Sequence, residues 1–124
     1  MGGFNYRVKL IHAMRGKEDG RPEYPRLYSP VGYSETSRKE MDAELAEAGE
    51  KLVSLGFKPH QVSTQLIGGV ASRAAAIVTE AKKQNYGTIV MGRRGHSRVR
   101  DFFIGRVTNK VLHLGRDRTV WIIR

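Results

Sequence analysis

With 124 residues, of which 40% are hydrophobic, the chain is long enough to form one domain with a buried core, and we expect a single domain over residues 1–124. It contains no cysteine, which excludes disulfides, thiolate catalysis and cysteine-rich zinc sites. No apolar run approaches the roughly 20 residues of a membrane helix and the N-terminus lacks a signal-peptide cleavage pattern, so we expect a cytoplasmic protein with no membrane partner. The net charge of +10 favours an anionic partner, from a nucleotide to a nucleic acid.

The first half of the chain predicts a strand, a loop and a helix. Residues 6–13 alternate between polar and apolar and end apolar, as a strand with a buried end does. Residues 15–33 contain three prolines and predict a long loop, of the kind that is functional or mobile. Ser37 and Glu40 fit a capping box at the start of a helix that Gly56 ends. The apolar face of this helix would consist of Met41, Leu45, Ala48, Leu52 and Leu55.

The middle of the chain predicts a strand and a second helix. Residues 61–67 are typical of a strand, which Gly68 and Gly69 would break. The helix that follows would stop at residues 85–87, Asn-Tyr-Gly. One side of this helix would carry Val70, Ala74, Ile77, Val78 and Ala81.

The last part predicts two strands with a short helix between them. Residues 88–91 form a short apolar strand, and residues 119–123 form another. Between them, Val107, Val111 and Leu114 indicate a helix closed by Gly115. The whole chain alternates strand and helix, which predicts an α/β fold with right-handed crossovers and an open parallel sheet that has helices on both faces.

A glycine-rich basic segment follows the strand at residues 88–91. Gly92, Gly95 and Gly105 are interleaved with arginines, and residues 92–124 carry nine Lys and Arg against two Asp. The segment lies at the carboxyl end of a strand and before a helix, where open parallel sheets bind ligands. Backbone N–H groups at glycines can approach phosphate oxygens, and the helix start adds partial positive charge. The alternative is that these glycines only form a turn and begin a helix.

The pattern Met91-Gly92-x2-Gly95-x9-Gly105, followed by Val107 and Thr108, resembles the nucleotide-binding signature of the universal stress proteins. The resemblance covers nearly the whole chain from about Tyr6. It implies a three-layer, Rossmann-like fold of the adenine nucleotide alpha hydrolase type, a homodimer or higher oligomer joined through the last strand, and in many members bound ATP.

Carried over by position, the resemblance also implies a nucleotide site. Ala13 would lie beside the adenine, and Met91 and Gly92 under the ribose and phosphates. The backbone at Gly95 and Gly105 would reach the phosphates. The remaining residues of the phosphate side would be Arg106, Val107 and Thr108.

The sequence departs from the family pattern in two places. Arg106 stands where ATP-binding members have Ser or Thr; its guanidinium either pairs with phosphate or is a solvated surface group. The first strand and helix of the family, with an Asp on the adenine side, have no counterpart before Tyr6. We therefore expect an N-terminally truncated domain whose interrupted sheet exposes strand edges, which favours pairing with another chain.

Other candidate sites are weaker. The four histidines, His12, His60, His96 and His113, show no metal-ligand spacing with acids. Tyr24, Tyr28 and Tyr33 near arginines could stack on bases, but a loop that covers the sheet edge explains them more simply. Residues 102–104, Phe-Phe-Ile, are better interpreted as a packing anchor than as a base-stacking surface.

The sequence therefore predicts a regulatory module that binds ATP or another adenine nucleotide, with at most slow ATP hydrolysis, because no base, nucleophile or metal cluster lies on the glycine loop. The alternatives are a dimerisation or stress-signalling domain that binds no nucleotide, and a polyanion-binding or nucleic-acid-binding module that uses the basic residues 93–118.

Overall fold

The computed structural model describes residues 5–15, 35–92 and 105–123. Strands and helices alternate in this part of the chain, as the sequence predicts. In chain order they are β1 (Val8–Arg15), α1 (Glu35–Ser54), β2 (Val62–Val70), α2 (Arg73–Lys83), β3 (Thr88–Gly92), α3 (Arg106–Leu114) and β4 (Thr119–Ile123). The long loop predicted for residues 15–33 lies outside the described residues except at Arg15, which ends β1.

The described strands form two parallel pairs, β1 with β2 and β3 with β4. The α/β class, the parallel pairing and the element order are confirmed. By its internal packing the chain divides into two compact units, Met1–Ala71 and Ser72–Arg124. The single domain predicted for residues 1–124 stays a prediction.

In the first unit, α1 packs on the β1–β2 pair, but two details of the prediction are wrong. The helix begins at Glu35, so Ser37 lies inside it rather than at its cap. Its inner positions include Gly49, while Ala48 and Leu55 are exposed. A Cβ built on Gly49 would lie 3.5–3.6 Å from methyl groups of β2. These distances are ordinary van der Waals contact, so the position has room for a small residue, which a pattern of large apolar side chains does not predict.

The end of β2 also differs from the prediction. The strand continues through Gly68 and Gly69 to Val70, and these two glycines lie opposite Met14 alone, because Ala13 pairs with Ile67 and Arg15 with Val70. Gly69 has a φ of 69°, a left-handed conformation that favours glycine. The glycines therefore form a β-bulge rather than a strand end.

In the second unit, α2 begins at Arg73, and Val70 belongs to β2 rather than to the helix. Ser72 is the N-cap: its hydroxyl accepts a hydrogen bond from the N–H of Ala75 at 3.2 Å. The inner faces of α2 and α3 pack with the β3–β4 pair. The buried core of this unit consists of Ala74, Val78, Ala81, Ile89 and Val111.

The last helix and strand match the prediction closely. Gly115 is the C-cap of α3, and β4 covers the predicted residues 119–123. Leu114 is the exception, because it is 41% exposed rather than packed inward. On β4, Val120 packs against the core, while Trp121, Ile122 and Ile123 are exposed.

Candidate functional site

The predicted phosphate-binding segment is bounded in the structure by the end of β3 and the start of α3. Gly92 is the last residue of β3 and is exposed. Gly105 is the N-cap of α3, with an extended backbone at φ −60° and ψ 155°, and is buried. Because β3 is a strand of a parallel pair, its carboxyl end is the edge where α/β proteins place their ligands.

One hydrogen bond joins these two ends directly. The Thr108 hydroxyl donates to the carbonyl oxygen of Gly92 at an O···O distance of 2.8 Å, and Thr108 is only 3% exposed. The bond links residues sixteen positions apart in sequence. It therefore fixes the first turn of α3 against the end of β3, so that both ends of the glycine segment are held by the core.

The start of α3 lacks a side-chain cap. Gly105 has no side chain that could accept from the first-turn N–H groups, and the first turn contains no acidic residue. The carbonyl of Gly105 accepts the N–H of Asn109 at 2.9 Å, as in a regular helix. The first N–H groups of a helix have no acceptor within the helix, and they carry partial positive charge. The local geometry therefore suits an anion.

Arg106 is the first residue of α3 and is exposed. In the part of the chain that the structure describes, its guanidinium forms no ion pair. Two other predicted site residues, Met91 and Val107, are half-buried and pack against the core. Arg106 therefore carries a positive charge on a long, exposed side chain. Its backbone lies in the first turn of α3, next to the uncapped N–H groups.

Two further predicted site residues, Ala13 and Gly95, belong to other segments of the chain. Ala13 is buried in β1 of the first unit, where it pairs with Ile67. Gly95 lies outside the described residues, as do His96, the three loop tyrosines and residues 102–104. The roles inferred for Ala13 and Gly95 stay predictions.

Sequence reasoning missed a second feature of α3. Lys110 and His113 lie one and two turns beyond Arg106 on the exposed side of the helix, and Arg116 follows in the turn after it. The charge excess of this region was evident in the sequence. The spacing i, i+4, i+7 on a predicted helix was the signal that would have placed these groups on one face.

Metal-binding groups and grooves among the described residues were also considered as candidate sites. The described residues contain no group of three or more His, Asp or Glu side chains that could hold a metal ion. An open groove in the first unit is lined by Gly49, Val53, Val62 and Thr64, among others, and includes none of the predicted site residues. We therefore place the candidate site at the β3–α3 junction.

Comparison with known proteins agrees with the resemblance noted in the sequence. The model of the universal stress protein family matches residues 4–123, which is nearly the entire chain. The chain has no match among the curated proteins. Within the described ranges, no helix combines the length and the apolar character that a membrane span requires.

Proposed function

The chain belongs to the universal stress protein family, and we propose that it is a regulatory module of this family that binds ATP or another adenine nucleotide without fast catalysis. The observation that carries the proposal is the hydrogen bond from Thr108 to Gly92, which holds an uncapped helix start beside the end of a parallel strand. This arrangement offers backbone N–H groups to an anion at a position that the core fixes.

Each described residue of the site would have a distinct task. Met91 and Gly92 would support the ribose and phosphates. The backbone at Gly105 would let phosphate oxygens approach the helix start, with Val107 behind it. Arg106 would pair with a phosphate group as a charge-assisted hydrogen-bond donor. Thr108 would act by positioning, because its hydroxyl proton is already donated to Gly92.

The nucleotide would supply charge and an adenine surface. Ala13 and Gly95 belong to the proposed site through the family pattern. We propose binding rather than turnover because no base or nucleophile occupies the glycine motif in the sequence. The same proposal places the protein in the cytoplasm, in line with a chain that contains no cysteine.

Titration calorimetry with ATP, GTP and inorganic triphosphate tests this function. A nucleotide site should prefer ATP to GTP, while an unspecific anion site should not distinguish them. The Arg106→Ser variant should bind ATP about tenfold more weakly, since it loses a charged hydrogen bond worth about 1.5 kcal/mol. Lys110→Ser, which removes the same charge one turn further along, is the matched control and should change the affinity less than about twofold.

Two results of this titration would contradict the proposal. Equal affinity for ATP, GTP and triphosphate would show that adenine is not recognised. Equal losses in Arg106→Ser and Lys110→Ser would show that net charge, and not the start of α3, determines binding. Tighter ATP binding by Arg106→Ser would retain the site but remove the arginine from it.

We also propose that two chains associate through β4. Trp121 and Ile123 are exposed on one face of this strand, beside the exposed Val90 of β3, with which Trp121 is in register. Parallel sheets are normally covered on both faces, and an apolar strand at a sheet edge favours pairing with a second copy. Association through this strand would cover these side chains and would agree with the oligomers that the family often forms.

A further inference from the structure

The exposed side of α3 carries a continuous row of basic groups. Arg106, Lys110 and His113 are spaced i, i+4 and i+7, and Arg116 continues the row beyond the helix. All four side chains are on exposed residues. We call these four residues the basic stripe. Positions three and four apart lie on one side of a helix, so Arg106, Lys110 and His113 share one surface, and Arg116 follows in the turn after the helix.

The positive charge of the stripe is not neutralised within the described residues. Helix α3 contains no acidic residue. The acid next to the stripe, Asp117, is already engaged, at 3.6 Å from the Lys82 ammonium and 3.3 Å from the Arg118 guanidinium. Arg106, Lys110 and Arg116 form no ion pair in the part of the chain that is described. The stripe therefore offers its charges to an external partner.

The opposite face of α3 holds the stripe in place. Val111 is fully buried, Thr108 is bonded to the end of β3, and Gly115 closes the helix. Basic groups on such an anchored helix lose little backbone entropy when they bind, because the helix is already ordered by its packing.

Helix α1 shows that this arrangement is not general in the chain. Its twenty residues contain six acidic and three basic side chains, which can pair with one another along the helix. The protein carries a net charge of +10, yet its longest described helix is acidic. Net charge is thus spread unevenly over the helices: α1 is acidic overall, whereas every charged residue of α3 is basic, which suits a surface that binds anions.

We propose that the basic stripe docks on the phosphodiester backbone of a nucleic acid, without reading its sequence. From Arg106 to His113 the helical part of the stripe spans about 10 Å at 1.5 Å per residue. A strand of B-DNA places a phosphate about every 3.4 Å along its axis, so this part reaches about three phosphates. The stripe includes no Phe, Tyr or Trp to stack on a base, so we expect binding to rest mainly on charge and to tolerate any sequence.

An anionic membrane is the competing partner, and the structure favours it less. Helices that lie on membranes combine a basic face with large apolar side chains that enter the lipid. On α3 the valines face the core, and Leu114, at 41% exposure, is the one apolar residue of the helix that is classed as exposed. A phosphate backbone requires only the charges.

Fluorescence anisotropy with a labelled 20-base-pair duplex, at several salt concentrations, tests the proposal. The variant Lys110→Gln/Arg116→Gln removes two stripe charges while leaving Arg106, which belongs to the proposed nucleotide site. The slope of log affinity against log salt should become shallower by about 1.8, at about 0.9 for each lost phosphate contact. Circular dichroism should show an unchanged helix content, since both side chains are exposed.

The matched control is Lys39→Gln/Lys51→Gln, which removes the same two charges from exposed positions of α1. It should leave the slope within about 0.3 of the wild-type value. An equal change in both variants would overturn the proposal in favour of a net-charge effect. No change in the stripe variant, or no duplex binding by the wild type at 50 mM salt, would also overturn it.

A parallel measurement separates the two partners. Vesicles with about 30% phosphatidylserine should bind the wild type and the stripe variant equally weakly. If the stripe variant loses vesicle binding but keeps its duplex slope, the stripe is a membrane surface and the proposal is wrong. ATP affinity is measured on the same variants, and it should stay unchanged, so that failure of this proposal is distinct from failure of the nucleotide site.

Discussion

The two units of the chain differ in the kind of residue that they bury. In the second unit, α2, α3 and the β3–β4 pair enclose a core of five buried residues, among which Val111 is completely inaccessible. In the first unit, the buried positions among the described residues are Ala13, Gly49 and Gln61. Two of these are small and the third is polar. Among the described residues, the second unit therefore buries more apolar side chains, and it also contains the β3–α3 junction.

The units also differ in how their surface charges are balanced. The described part of the second unit carries seven Lys and Arg against two acidic residues, while α1 of the first unit is acidic overall. A rigid framework with unneutralised positive charge is what an anion site requires, because its donors need not reorganise on binding. The second unit therefore suits an anion better than the described part of the first unit does.

The largest effect is expected at the exposed face of β4. Replacing both Trp121 and Ile123 by Lys should convert the proposed dimer into monomer, because burying two charges between chains costs on the order of several kcal/mol. Sedimentation velocity at micromolar concentration measures this. Asn109→Lys/His113→Lys adds two charges on α3 and should leave the dimer intact. A wild-type chain that sediments as a stable monomer would contradict the prediction.

Because the two units differ in burial, shortening an inward-facing side chain should lower the free energy of unfolding more in α3 than in α1. Val111→Ala in α3 should lower the free energy of unfolding by about 2 kcal/mol, because it leaves a cavity in a closed core. Leu45→Ala in α1 removes more atoms but from a half-buried position, and should cost only about 1 kcal/mol. Urea denaturation of both variants measures the two losses. Equal losses, or a larger loss in Leu45→Ala, would contradict the prediction.

The hydrogen bond at the β3–α3 junction should contribute more to stability than the hydroxyl of a typical surface threonine does. Thr108→Val keeps the shape but leaves the Gly92 carbonyl without its donor, at a cost of about 1.5 kcal/mol. Thr119→Val, at an exposed position of β4, should change stability by less than about 0.5 kcal/mol. If both variants melt at the same temperature, the Thr108 hydroxyl does not anchor the helix.

The smallest expected effect concerns the glycine bulge of the first unit. Gly69→Ala should destabilise by about 1 kcal/mol, since Gly69 has a φ of 69° while a Cβ there would meet no atom within 4 Å. Gly87 also has open space around it but no positive φ, so Gly87→Ala should be nearly neutral. Equal stability of the two variants would show that backbone conformation at the bulge carries no cost.

Much of the fold could be predicted because its signals are local. The helices show apolar periodicity, and Gly56 and Gly115 mark two of their ends. Two of the differences from the prediction involve glycines. Gly49 takes a buried position of α1 where a pattern of apolar side chains gives no signal, and at Gly68 and Gly69 a bulge keeps strand pairing that the sequence suggested would end.

The candidate site could be predicted only in part. Its position between β3 and α3 follows from element order together with the glycines at 92 and 105. The bond between Thr108 and Gly92 could not be foreseen, because it depends on how two segments sixteen residues apart approach each other in space. The row of Arg106, Lys110 and His113 could have been predicted, because their spacing on the predicted helix places them on one face.

Nucleotide binding at the β3–α3 junction is the central claim, and the small molecule carried by the purified protein tests it most directly. The protein is purified without added nucleotide and denatured, and the released compounds are identified by mass spectrometry and quantified against the protein. The account predicts an adenine nucleotide in near-stoichiometric amount from the wild type, and a marked loss from Arg106→Ser. A wild-type protein that releases no nucleotide, and that also fails to take up added ATP at millimolar concentration, would contradict it.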